Sequence, residues 1–468
     1  MIFPPDRPAA RRIFLLPLAV AMAVVSGCSS VTTTQPDAPD LPTVFTQTAE
    51  AANPVAVNWW TEFADDDLNH WMTVVLERNY SLKAASARLD QSLASLRGSR
   101  SDYYPTLDAQ LGKQRTWNAD DSTSTVWSAG LSTSYEVDIW GGIRAATDQS
   151  LMNVQASSAA YRTAANTIAG QVTTAWLGLR MQAENLALLN SQRQRLETAL
   201  EVIEGRKKRG QAKLTDIWQQ QKLLESLQVD ILSAQAQRDI YLQQLAVWSG
   251  QGQTTLSPDD VAALTPLPEL GESIGTVPVS ALQSRPDVEQ AFFSLQAATA
   301  GVAIAESNRY PRLTLSASYT GQDPQFSQIF DNWVATLAGS LVMPLIDGAS
   351  RRAEVERQRA LEAEAVADYS QTLLEASQEV QEALVQEQRY AQTAVSLADQ
   401  LELARKTLEL QDYYYARGQL DFLELLNAQQ ELLSLESQYL AARWSHVQAR
   451  IQLYKAVSHG QFGEKNDV

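Results

Sequence analysis

Cysteine occurs once in 468 residues, at Cys28, so internal disulfides and multi-cysteine metal sites are excluded. Histidine is almost as scarce: His70, His446 and His459 are too few and too scattered for a metal cluster. Basic charge is also in deficit. Lys plus Arg number 37 against 54 Asp plus Glu, a formal net charge of −17, the wrong sign for a nucleic-acid-binding face. A Gly-rich phosphate loop and a nucleophile paired with a base are missing as well, which leaves an enzyme without machinery or cofactor. No apolar run is long enough to cross a ~30 Å hydrocarbon core as a helix. Proline is absent from Ile143 to Trp248 and again from Ala349 to His459. Hydrophobic residues still make up 45%, so wholesale disorder is excluded. The length is about three times a typical ~150-residue domain, which implies two domains or one large repeated fold.

The N-terminus has the parts of an export signal: Arg7, Arg11 and Arg12, then apolar Ile13 to Val25, then Ser26-Gly27-Cys28. Removing residues 1–27 takes away three Arg and one Asp, leaving 34 cations against 53 carboxylates, or −19. Two readings remain open. Cys28 is incidental to an ordinary signal, or it is the acylated first residue of a bacterial lipoprotein. The position of the only cysteine, directly after a Ser-Gly pair, favours the second. Acyl chains would hold that end at a membrane, each buried CH₂ contributing ~0.8 kcal/mol. Residues 28–57, rich in Thr, Pro and Asp, read as an extended tether.

The rest of the chain repeats itself. Leu89 and Leu295, Ser101 and Ser307, Tyr104 and Tyr310, and Pro105 and Pro311 each stand 206 residues apart, and the same offset carries Gly142 onto Gly348. Farther on, Arg209-Gly210-Gln211 matches Arg417-Gly418-Gln419 at an offset of 208. Each half repeats one order: helix, proline, two strands, glycine, long helix, Gly-bearing turn, long helix. The first repeat is 58–256, with strands at about 105–117 and 125–138 and a helical hairpin at 143–249. A Pro/Gly-rich linker covers 257–278. The second repeat is 279–460, with strands at about 311–321 and 333–343 and a hairpin at 349–459, before a tail at 461–468.

The strand segments alternate. Leu107, Ala109 and Leu111 oppose Thr106, Asp108 and Gln110; Trp127, Ala129, Leu131, Tyr135 and Val137 oppose Ser128, Gly130, Ser132, Ser134 and Glu136. Leu313, Leu315, Ala317 and Tyr319 continue the pattern, followed by Trp333, Ala335, Leu337, Leu341 and Met343. Roughly ten residues per strand suits a tilted membrane-spanning strand, apolar outward and polar inward, though two soluble hairpins on a core share this weak signal. The small hydroxylated opposite face tips the balance toward a pore. Four strands cannot close a barrel, and open edges in lipid cost several kcal/mol per unsatisfied backbone group. Strands in lipid therefore require two chains with eight strands or three with twelve.

The proline-free stretches predict helices far longer than the usual 8–20 residues. A helix over 143–207 would rise ~100 Å. Leu186, Leu189, Leu196, Leu200 and Ile203 follow 3–4 spacing with Arg193 filling one slot. In the last helix Leu425, Leu432, Tyr439, His446 and Leu453 recur every seven residues beside Ala428, Leu435, Ala442, Ala449 and Ala456. His446 in that seam is a packed or pore-adjacent residue. Gln, Glu, Ser and Arg between the seams leave each helix a solvated face.

Particular motifs carry a resemblance that spans nearly the whole mature chain in order. They are Asn58-Trp59-Trp60-x-x-Phe63-x-Asp65, Asp138-x-Trp140-Gly141, Ser284-Arg285-Pro286-Asp287-Val288, Met343-Pro344-Leu345-x-Asp347-Gly348 and Leu425-Leu426-Asn427-Ala428-Gln429. With these the chain resembles the TolC-like outer-membrane factors, in their OprM- and NodT-like lipoprotein branch. The resemblance implies an α+β fold: a homotrimeric outer-membrane β-barrel, four strands per chain and twelve in all, continuous with a long periplasmic α-helical coiled-coil barrel. It implies a passive exit duct in the outer membrane of a Gram-negative bacterium, docked onto a periplasmic adaptor and an inner-membrane efflux transporter. Small toxic or amphiphilic cargo is the first expectation and protein secretion the second. A lipid-anchored coiled-coil scaffold without a pore is the rival of another class.

Site residues carry over singly. Gly210, Thr215 and Gly418 match the tips presented to the adaptor, where both glycines also read as helix C-caps. Asp216, Tyr415, Leu423, Glu424 and Asn427 match the periplasmic gate. Leu420 stands where some members place a latch arginine, with Arg417 or Arg209 as substitutes. Three copies of Glu424 converging on an axis would repel one another and attract cations.

Overall fold

In the computed structural model, described here for residues 44–46, 58–253, 256–271, 276–278 and 280–458, four strands form one antiparallel sheet. A short strand Val44–Thr46 comes first (β1); the sheet then takes β2 (Thr106–Trp117), β3 (Thr123–Val137), β5 (Arg312–Asp323) and β6 (Trp333–Val342), in the order β2-β3-β5-β6. The strand between, β4 (Thr276–Pro278), pairs with β1. Cross-strand partners share a face, so register decides whether the alternation of each strand agrees with the next. It does. Ala109, Leu131, Tyr319 and Ala335 form one row across the sheet, and Asp108, Ser132, Ser318 and Thr336 form the adjacent row on the other face. One face is thus apolar along most of all four strands, with Lys113, Arg115 and Asp323 the charged exceptions toward the hairpin end, and it is bare: Leu107 is 71% and Leu337 85% exposed. The other face is small and hydroxylated along most of β3 and β5, while β2 brings the larger polar Asp108, Gln110 and Gln114 to it and β6 has Val334 and Val342 at its ends. Aromatics gather at the hairpin end, with Tyr319 stacked on Trp333 at 5.2 Å and Trp127 edge-on to Phe326 at 5.1 Å.

Nine helices are present among the described residues: α1 (Asp66–Arg78), α2 (Tyr80–Ser101), α3 (Gly142–Lys208), α4 (Leu214–Trp248), α5 (Pro258–Ala262), α6 (Ser280–Gln283), α7 (Pro286–Ser307), α8 (Ser350–Ala416) and α9 (Phe422–Val457). The two longest, α3 and α8, have 67 residues each, or ~100 Å. Toward the tips α3 pairs with the 35-residue α4, and α8 with the 36-residue α9. Toward the sheet the 22-residue helices take over, α2 and α7 against α3 and α7 against α8. Shorter helices therefore cover the length of each long one, α4, α2 and α7 along α3 and α9 and α7 along α8.

A 3-10 turn at Trp59–Phe63 locks the middle of the structure. Trp59 is fully buried and donates its Nε1–H to Asn166 Oδ1 at 3.0 Å. Asp65 caps α1 through the Leu68 amide and accepts from Trp176 Nε1 at 2.8 Å and from the Arg180 guanidinium, which also donates to the carbonyls of Thr265 and Pro266. Arg285 holds the start of α7 in the same way, donating to Asp287, to Glu379 and to the Ala456 carbonyl.

Several expectations change. The linker does not run free: Val261 and Leu267 are buried in the core. Part of the expected tether, Val44–Thr46, is paired as a strand. Arg193 does not fill the helix seam. Gln192 does, 1% exposed and donating to Glu436 Oε2 at 2.8 Å, because a 3–4 spacing admits either neighbour and the amide finds a partner while the guanidinium stays in water. Gly142 and Gly348 are not equivalent either. The αL residues that precede the two long helices are Gly141 (φ +75°) and Ala349 (φ +69°), 208 apart, because the connection from strand to helix spans 138–141 in the first repeat and 343–349 in the second. His446 is packed, with Nε2 3.2 Å from Glu387 Oε1, which also accepts from Arg450. Cys28 and His459 lie outside the described residues.

Candidate functional site at the helical tips

The end of each long helix follows from one glycine. Gly210 (φ +76°) donates its N–H to Lys207 O and Gln211 to Arg206 O, both at 2.9 Å; Gly418 (φ +73°) donates to Tyr415 O at 2.9 Å and Gln419 to Tyr414 O at 3.0 Å. Both are Schellman caps, in which the left-handed residue satisfies carbonyls that the helix leaves unpaired. The glycines are exposed at the two turns. On the far side of the first turn, Asp216 caps α4 by accepting from Lys213 N at 2.8 Å, with the exposed Thr215 Oγ1 3.4 Å from its other oxygen.

One contact ties the two tips together. The Arg206 guanidinium lies over the Tyr415 ring, 4.2 Å from its centroid, and its Nη1 donates to the Tyr415 carbonyl at 2.6 Å. Tyr415 is buried against Phe422, Ile203, Leu425 and Leu426. Burial pushes its phenol up, opposed by the charge of Arg206 and aided by those of Asp216 and Asp421, so the ring stays neutral through physiological pH. Neither Arg209 nor Arg417 makes this contact; Arg417 stacks on Tyr413 at 3.9 Å. Arg206 escaped the sequence reading. Its one signal there is positional, since the offset of 208 places it opposite Tyr414, next to Tyr415.

Leu423, Glu424 and Asn427 occupy one exposed side of the first two turns of α9, while Phe422, Leu425 and Leu426 face the core. Leu423 is 54% exposed, an apolar side chain with no cover in one protomer. Beside the tips, α3, α8 and α9 enclose a groove of about 560 Å³ lined by Leu196, Ile203, Leu408, Leu425 and Leu432. Gln429 lines it too, nine-tenths buried with its Oε1 lacking a hydrogen-bond partner.

Residues 71–251 and 277–459 match the family model described as outer membrane efflux protein. The chain belongs to that family. The pyoverdine export outer membrane protein OpmQ of Pseudomonas putida is 27% identical over 467 residues, 96% of this chain and 97% of its own. Nodulation protein T of Rhizobium leguminosarum bv. viciae is 26% identical over 460 residues, 96% and 94% of the two chains. In fold, the chain is similar to the Campylobacter jejuni CmeC outer membrane channel (TM-score 0.84, 20% identity, 94% of this chain and 96% of that one). It is also similar to the outer-membrane channel OprN (TM-score 0.82, 24% identity, 92% and 99%). Family membership accounts for the exposed apolar sheet face: lipid is its solvent. No helix among the described residues is long and apolar enough to cross a membrane, and the strands, 10 to 15 residues each, are long enough to do so.

Proposed function

We propose that three copies of this chain form the exit duct of a tripartite efflux system. Twelve strands close one outer-membrane barrel, and the long helices form a periplasmic tunnel that meets an adaptor and, through it, an inner-membrane transporter. The observation that carries this reading is the four-stranded sheet with unpaired edges at β2 and β6 and one bare apolar face. Such a sheet satisfies its backbone in lipid only by pairing edge to edge with further copies. The strands alternate in direction, so β6 of one copy meets β2 of the next antiparallel, as every other pair in the sheet does. Relatives named for pyoverdine export and for toluene and antibiotic efflux support small amphiphilic cargo.

Within the duct, Leu423, Glu424 and Asn427 from three copies ring the periplasmic mouth. Arg206 clamped on Tyr415 holds the two tips of each copy together in the closed form. The tips around Gly210, Thr215 and Gly418 and the groove beside them receive the adaptor. Cys28 carries the lipid anchor, and Cys28→Ser is expected to abolish acylation, read as loss of the lipid mass from the mature N-terminus. The duct itself is tested by conductance. The purified protein is expected to run as a trimer in detergent and to conduct in a planar bilayer, with Glu424→Ala raising the leak. A monomer soluble without detergent, or a trimer that never conducts even with Glu424 neutralised, rejects the reading.

A further inference from the structure

The two tips of each chain occupy equivalent places in the repeat and differ in charge. From Arg206 to Asp216 there are five cations and one carboxylate, net +4; from Tyr414 to Glu424, at the offset of 208, there is one cation and two carboxylates, net −1. Lys213 and Asp421 stand at the same position with opposite sign. The excess at the first tip is conspicuous in a chain of net −17.

Lys207, Lys208, Arg209 and Lys213 are exposed, and none of their side chains meets a carboxylate among the described residues. Along α8, by contrast, Arg351, Arg352, Arg357, Arg359 and Lys406 each pair with a carboxylate, and the exposed cations that lack one, such as Arg88, Lys222 and Arg389, stand singly rather than in a cluster. Local stability explains only part of the cluster. Cations in the last turn of α3 complement the negative end of the helix dipole, each by roughly 0.3–1 kcal/mol. Lys213 does the reverse. It is the N-cap residue of α4, where the dipole disfavours a positive charge. Helix stability therefore does not account for Lys213, which stands exposed at the turn without a carboxylate partner.

We infer that, of the two tips, the first takes a protein surface with clustered Asp or Glu side chains, and that the second, with Tyr413, Tyr414 and Asp421, takes a surface without such a cluster. This rests on the reading of the tips as the adaptor-facing end, and it makes the two docking positions of each chain chemically different. In a ring of three copies, basic and weakly acidic tips alternate. A protein can match that alternation side chain by side chain, whereas a uniformly anionic lipid surface would meet the second set of tips with like charge. Complementary charge of this kind acts mainly on association rate and salt dependence.

The test uses the full-length trimer in detergent and the periplasmic adaptor proteins of the source bacterium, purified one by one. Binding is measured at 50 and 300 mM NaCl. Wild type is expected to bind one adaptor with affinity that falls steeply with salt. Lys207→Glu, Lys208→Glu, Arg209→Glu and Lys213→Glu together should weaken that binding on the order of tenfold at low salt, chiefly in association rate. The same four positions changed to Gln should give an intermediate loss, and Gln419→Glu at the second tip should stay within about twofold of wild type. Lysines in place of the adaptor's end carboxylates should restore binding to the glutamate variant. An adaptor that binds the glutamate variant as tightly as wild type, with the same salt slope, overturns the inference and leaves the adaptor reading in place. Failure of every adaptor to bind wild type at either salt overturns the adaptor reading itself. Capture of wild type by phosphatidylglycerol vesicles in preference to any adaptor also overturns the inference. Trimer mass and thermal unfolding of each variant separate lost docking from lost folding.

Discussion

Arg206 is the most direct handle on the closed tip. Arg206→Ala removes a cation held 4.2 Å from the Tyr415 ring and a hydrogen bond of 2.6 Å to the Tyr415 carbonyl. A partly desolvated cation–π contact is worth roughly 0.5–2 kcal/mol, and a hydrogen bond from a charged donor ~1.5–3 kcal/mol. Against this, the Arg206 Nε is buried without a partner, and its removal returns about 1–3 kcal/mol. The net loss is ~1–2 kcal/mol. If the clamp forms only while the tips are closed, that loss shifts the open-to-closed ratio by roughly 5- to 30-fold. Single-channel recording in planar bilayers measures the ratio as open probability, which should rise. Tyr415→Phe keeps the ring and the carbonyl and should leave it unchanged. Tyr415→Ala removes the ring but keeps the carbonyl, so it should raise open probability by less, and adding Arg206→Ala should bring only the further loss of the hydrogen bond, because the cation–π contact cannot be lost twice. An open probability unchanged in Arg206→Ala, with thermal stability lowered instead, refutes the clamp and leaves Arg206 as local packing.

Three further outcomes follow from named contacts. Arg180→Met strands the buried Asp65 carboxylate, 7% exposed, and should cost roughly 3–5 kcal/mol in denaturant unfolding, part of which Asp65→Asn in the same chain restores. Burial raises the Asp287 carboxyl, but the hydrogen bonds and charge of Arg285 outweigh it and hold the group below its usual range. The stability this contributes is complete above about pH 4 and lost as pH falls through the folded-state value, so Asp287→Asn should flatten the acid limb of thermal unfolding. Ala349 sits at φ +69° before α8, where its counterpart before α3 is Gly141 at φ +75°. Ala349→Gly should stabilise by roughly 0.5–1 kcal/mol and Gly141→Ala should destabilise by a similar amount, both read as shifts in melting temperature.

The alternation of each strand was legible because each face meets one environment along its whole length, and the long helices because nothing in 143–208 or 350–416 breaks them. Contacts between distant segments were not. Which of Gln192 and Arg193 enters the seam depends on Glu436, 244 residues from Gln192. Arg206 reaches Tyr415 across the two hairpins, and no periodicity in either helix encodes that. Glycine identity was a partial guide: Gly348 does lie at φ +63°, but Gly142 is helical, and the αL position directly before the second long helix is held by Ala349 at a cost. Leu423, Glu424 and Asn427 share an exposed side, as helical spacing alone requires.

Neighbouring copies must also cover the helices. The packing order across the helical part is α4, α3, α9, α8, which leaves α4 and α8 on opposite flanks. Each flank carries an uncovered apolar stripe: Trp218, Val229, Leu232, Ile240 and Val247 on α4, and Val385, Val395, Leu403 and Leu410 on α8. The intervals within both stripes, 3, 7, 8, 10 and 11 residues, keep one helical face. Strands β2 and β6 likewise give the sheet its two opposite unpaired edges. A single head-to-tail operation, repeated until it closes, therefore pairs β6 with β2 and lays the stripe of α8 on that of α4 in the next copy. Lipid around the barrel cannot cover the helical stripes, and water around the helices cannot satisfy strand edges in lipid. One ring of identical neighbours does both, which is why a single polypeptide of this sequence is an incomplete structure.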